Sequence, residues 1–120
     1  MAKRMERKSL NTPDEIRRFE KGKLELAKLE SGAVGRATFE PGWKWSTCVK
    51  PIAKTDSCQT AHFGYIVSGR MKVVMNDGTA EEYGPGDAMN IPPGHDAWIV
   101  GNEACVVIDV TGAEHYAERK

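Results

Sequence analysis

From Lys23 to Val110 the chain is cut into short pieces, and that punctuation limits the folds open to it. HFGYIVSG and MKVVM meet at Ser68-Gly69, NDG at Asn76 to Gly78 ends the second, and AMNIP, AWIV and CVVIDV follow with turn residues between them. Pieces this short, rich in β-branched and aromatic residues, suit strands rather than helices. Asn-Asp-Gly is a tight-turn sequence. Upstream, KLELAKLE alternates Leu24 and Leu26 with charges. AVGRATFEPG runs from Val34 through Ala37 and Phe39 to a Pro41-Gly42 turn. Strands punctuated this regularly predict an all-β sandwich or barrel.

Ahead of the strands, NTPDEIRRFEKG carries helix-start chemistry. Thr12 can cap, Pro13 suits the first turn, Glu15 sits three after the cap, and Gly22 can stop the helix. A short N-terminal helix is expected there, with a final helical turn or a frayed end over GAEHYAERK. The 120 residues fit one domain. It divides into an N-terminal helix and strands over 1–36, a barrel core over 37–112 and a tail over 113–120. Lys+Arg and Asp+Glu are both 17, so charge gives no reason to expect nucleic acid or an anionic membrane as partner. No apolar run approaches the roughly 20 residues of a membrane helix. MAKRMERKSL is basic with no apolar stretch behind it, unlike a secretory signal. Three cysteines, irregularly spaced and without a CxxC pair, argue against a disulfide framework. A cytoplasmic location is expected.

SGRMKVVMNDGTAEEYGPGDAMNIPPG resembles the centre of a cupin. The second cupin motif reads G-x5-P-x-G-x2-H-x3-N. Gly86, Pro92 and Gly94 match it, Ala97 stands at the histidine position, and Gly101 stands at the asparagine position beside Asn102. The first motif reads G-x5-H-x-H, a short gap, then E-x6-G. Counting back from Gly69 places His62 at the glutamate. Counting forward from Gly42 places Cys48 and Lys50 at the two histidines, with PIAKTDSCQTA as an insertion. A second alignment keeps the usual gap and places Asp56 and Cys58 there. The first is preferred because it keeps the Pro-Gly turn in register. The resemblance spans Ala37 to Val110. It implies an all-β cupin double-stranded β-helix, a jelly-roll barrel, with a divalent metal held by imidazoles and a carboxylate at its mouth.

The ligand pattern is not intact, so candidates are weighed singly. His95 lies two residues before Ala97, and strand side chains repeat every two. It would then point where the missing histidine would. Cys48, His62 and His95 could converge, and a thiolate with two imidazoles suits zinc or a softer transition metal. Iron, nickel and manganese are the other candidates. Asp96 could orient a neighbouring group. The plainer reading is that Pro-Pro-Gly and a polar pair are turn chemistry only. Cys48 also reads as a small buried apolar residue. Cys58, in KTDSCQT, reads as an exposed thiol, Lys50 as a surface charge or anion contact, and His115 as solvated.

Trp43 and Trp45 alternate and would project from one face of a strand. That face is either the wall of an apolar pocket or a dimer contact. With Tyr65, His62 and His95 they outline a pocket for a small organic ligand. The reading is a small-molecule-binding cupin barrel with a candidate divalent metal, forming a homodimer. The alternatives are a metal-dependent cupin enzyme of dioxygenase, isomerase or decarboxylase type using His62 and His95, and a structural dimer without a ligand.

Overall fold

Two antiparallel sheets share one core in the computed structural model, which describes residues 4–111 and Tyr116. The elements in chain order are β1 (Glu15–Phe19), β2 (Gly22–Leu29), β3 (Gly32–Phe39), α1 (Trp45–Cys48), α2 (Lys50–Ala53), β4 (His62–Ser68), β5 (Met71–Met75), β6 (Ala80–Tyr83), β7 (Ala88–Ile91), β8 (His95–Ile99) and β9 (Cys105–Thr111). The larger sheet runs β1-β2-β3-β9-β4-β7 and the smaller β6-β5-β8. The all-β, two-sheet architecture expected from the punctuated strands is present, in the jelly-roll form that the resemblance implies. Leu24, Leu26, Trp43, Trp45, Ile66 and Cys105 are among the side chains sealed between the sheets.

The expected N-terminal helix is absent: residues 15–19 form a strand that pairs with β2 from Glu15↔Leu26 to Phe19↔Gly22. A cap contributes about 1 kcal/mol, and so short a helix is marginal without packing. The strand gains a ladder and the Phe19 ring, which packs against Phe39 at 5.9 Å. Arg17 and Lys28 bond the Glu15 carboxylate at 2.7 and 2.8 Å and hold its pKa down to about 2. Gly22 does not stop a helix. A Cβ there would press into the Phe19 ring and the Thr38 carbonyl, so the hairpin needs glycine at that point.

Trp43 and Trp45 do not share a strand either. Trp43 lies in the turn after β3 and Trp45 opens α1. Each is 2% exposed within a single chain, so neither is free to form a dimer contact. Asp96 on β8 fixes α1 by accepting the Ser46 N–H at 3.1 Å. Lys44 adds a backbone bridge to Trp98.

β4 separates inside from outside by parity. His62 and Ile66 face the core, while Phe63, Tyr65 and Val67 are about half exposed on the other side. At Gly64 the neighbouring strand β9 comes so close that any Cβ would collide with the Ile108 carbonyl. Asp109 on β9 pairs with Gly64, two residues from His62 on the same face of β4, and so lies beside that ring; the β4–β9 register then shifts between Phe63 and Gly64. The tail reading falls outside the described residues except at Tyr116, which is buried and tied by its carbonyl to Arg17 Nη1 at 2.9 Å. Among the described residues, no helix is long and apolar enough to cross a membrane.

Candidate metal centre

Two stretches far apart in sequence, 58–62 and the start of β8, bring Cys58, His62 and His95 together. One ligand atom from each lies within 4.8 Å of the others. His62 is the first residue of β4 and His95 the first of β8. Cys58 comes from the connection between α2 and β4, which folds against β8 as a backbone bridge. Its N–H donates to the His95 carbonyl at 2.7 Å, and its own carbonyl accepts the Gly94 N–H at 2.7 Å. Gly94 has φ 95°, a left-handed conformation that glycine adopts without strain, and this turns the chain into His95.

Both imidazoles are held by their Nδ1 atoms. His62 Nδ1–H donates to Asp109 Oδ2 at 2.5 Å, and His95 Nδ1–H donates to the Pro92 carbonyl at 2.9 Å. Each bond leaves Nε2 as the nitrogen with a lone pair to offer. His62 Nε2 lies 3.8 Å from Cys58 Sγ, and the two rings stand 5.4 Å apart. This is the arrangement that orients metal-binding histidines: the ring nitrogen away from the metal is fixed by a carboxylate or carbonyl. Tetrahedral zinc, with its usual bond lengths to sulfur and nitrogen, sets such donors about 3.5 Å apart. The donor set therefore fits a soft divalent metal.

The electrostatics agree. Burial would push the Cys58 thiol up, but hydrogen bonds and charge from His62 and His95 outweigh it and bring its pKa down to about 6. Burial would likewise lower His62, but Asp109 and Cys58 outweigh it and raise its pKa to about 9. Both shifts favour a thiolate beside an imidazolium, the charged forms that burial alone would suppress.

A cavity of about 40 Å³ opens beside this group. His62, His95, Asp109, Trp43, Trp45 and Tyr116 are among its lining residues, with Leu24, Met71, Met89 and Ala97 supplying apolar surface. Burial pushes the Tyr116 phenol well above its ordinary range.

Of the residues singled out from the sequence, His62, His95, Trp43 and Trp45 share this cavity. Tyr65 does not; its odd position on β4 turns it outward, 48% exposed. Cys48 lies in α1, buried in the apolar core and outside the cluster. Cys58 takes the place expected of it and is 3% exposed rather than open to solvent. Lys50 lies on α2, half-buried, and Asp56 is exposed. His115 lies outside the described residues. Asp109 and Tyr116 gave no sequence signal of their own. Cys58 did, in the second alignment, although that alignment's other residue, Asp56, is not part of the cluster.

Residues 49–111, just over half of the chain, match the family model described as Cupin domain. No curated protein sequence matches the chain. Among solved structures, the polyketide cyclase RemF from Streptomyces resistomycificus is similar over 97% of this chain and 82% of its own, at 19% identity and TM-score 0.63. A cupin-like protein from Thermotoga maritima is similar over 81% of this chain and 73% of its own, at 20% identity and TM-score 0.54. A protein of unknown function from Acinetobacter sp. ADP1 is similar over 76% and 81%, at 14% identity and TM-score 0.54. At these identities the likeness is one of fold. With the residue match, it establishes that the chain belongs to the cupin family.

Proposed function

We propose that this cupin domain holds one divalent transition metal, zinc before iron, nickel or manganese, through Cys58 Sγ and the Nε2 atoms of His62 and His95. It would take a small organic ligand in the adjoining cavity. The observation that carries the reading is the paired anchoring of the two Nδ1 atoms, on Asp109 and on the Pro92 carbonyl. It fixes both tautomers so that each histidine can offer Nε2. A metal in a three-ligand site supplies Lewis acidity and an open coordination position. The chain's own part is to orient and to exclude water. Asp109 holds His62, the Cys58–His95 backbone bridge holds the other two donors, and the tryptophans wall the cavity.

A metal-dependent enzyme is the neighbouring reading. The similar polyketide cyclase makes ring closure of a polyketide one reaction to assay. The present geometry favours binding: the cavity holds only about three water-sized volumes. Elemental analysis of untagged protein beside a His62→Ala/His95→Ala variant tests the metal. About one metal per chain, lost in the variant, supports the centre. No metal after supplementation with all four ions retires it.

A further inference from the structure

Two hydrogen-bond donors on residues that line the cavity find no acceptor among the described residues. Trp43 Nε1 and the Tyr116 hydroxyl are both buried without a partner among the described residues. A buried donor left unpaired costs about 1–3 kcal/mol. Both side chains line the same cavity, and both rings pack against the same two phenylalanines. Trp43 lies 6.5 Å from Phe19 and 4.3 Å from Phe39; Tyr116 lies 6.0 and 6.3 Å from them. Tyr116 is further fixed by Arg17 at its carbonyl and stands 5.4 Å from the His62 ring. Neither residue falls within the 49–111 segment that matches the family, so the donors come from flanking segments of this chain. The rest of the wall is apolar apart from His62 and His95 of the metal-binding group and Asp109, whose carboxylate is bonded to the His62 ring.

We infer that Trp43 and Tyr116 form the donor wall of a subsite for a small carboxylate, of acetate to pyruvate size, whose oxygens accept the indole N–H and the phenol O–H. Ionised carboxylates accept at about four lone-pair sites, more than an alcohol of equal size offers. The cavity admits only a few heavy atoms. A buried carboxylate needs a cation, and for that the inference rests on the metal reading above.

The test follows the Trp43 indole N–H resonance, assigned by its loss in Trp43→Phe, during titration with acetate and pyruvate. Isopropanol is the neutral control. Zinc-loaded and zinc-stripped protein are titrated in parallel, with zinc content measured on each sample. A saturable shift with the carboxylates and none with isopropanol is expected. Binding should weaken about tenfold in Tyr116→Phe, the loss of one hydrogen bond to a charged group. Zinc content should stay unchanged and the remaining spectrum intact. No saturable shift, or equal affinity in Tyr116→Phe, overturns the donor wall while leaving the metal centre standing. If the protein takes no zinc, the metal reading fails by itself. The zinc-free titration then decides the subsite: a shift that depends on Tyr116 upholds it, and no shift overturns it.

Discussion

Cys58 and Cys105 are both free thiols sealed from solvent, and they sit in opposite chemical worlds. At the head of β9, Cys105 is surrounded by the core. Burial, with a smaller push from Glu103, raises its pKa to about 11. Cys58, nearly as buried, is driven down to about 6 because two imidazoles lie beside it. Burial alone makes a thiol inert. What makes one a metal ligand is the company of groups that stabilise its charged form.

The contrast can be broken most sharply at the sulfurs. Cys58→Ser should weaken zinc binding by at least about a hundredfold, beyond the roughly 10–100-fold that orienting residues cost. Cys105→Ser should leave it unchanged. Competition with a chromophoric chelator reads both, and equal losses would erase the distinction. Asp109→Asn should cost about 10–100-fold in zinc affinity, because it loosens the hold on His62 Nδ1 while keeping the volume. Stability inverts the order for Cys105. A hydroxyl at a fully buried apolar position should cost about 1–3 kcal/mol, read by urea denaturation.

The smallest effect is the pH profile of zinc-stripped protein. Cys58 has a folded pKa of about 6, below its ordinary 9.0, so its contribution is full above 9 and lost as pH falls through 6. His62 has a folded pKa of about 9, above its ordinary 6.5, so its contribution is full below 6.5 and lost as pH rises through 9. The two describe one interaction, and between about 6.5 and 9 the rising Cys58 contribution offsets the falling His62 one, so the stability of the stripped protein should change little across that range. Cys58→Ser should remove the offset, so that thermal stability declines as pH rises from about 6.5 to 9, and Cys105→Ser should not.

The sequence carried the barrel because turn chemistry is local. Gly86 and Gly94 both have positive φ, and Asn76 to Gly78 turns the chain between β5 and β6. It carried His62 through its motif position and His95 through strand parity with Ala97, two residues on. Strand parity also sufficed to exclude Tyr65, since Gly64 and Ile66, not Tyr65, share the His62 face. Other features were hidden for physical reasons. KTDSCQT is polar and reads as exposed, yet its backbone pairs with β8 and carries Cys58 inward. The cap residues at 12–15 describe a helix that sheet pairing overrides. Asp109 reaches His62 from a neighbouring strand 47 residues along the chain, and no local spacing announces that pairing.

The backbone bridge between Cys58 and His95 has one more consequence. Small zinc modules fold only when metal arrives, because their ligands are scattered until then. Here main-chain hydrogen bonds already join two ligand-bearing segments, and Asp109 already aims the third. On the proposed metal reading, loading would be a docking event on a scaffold held by its own hydrogen bonds, and exchange of the ion would not require the barrel to be rebuilt.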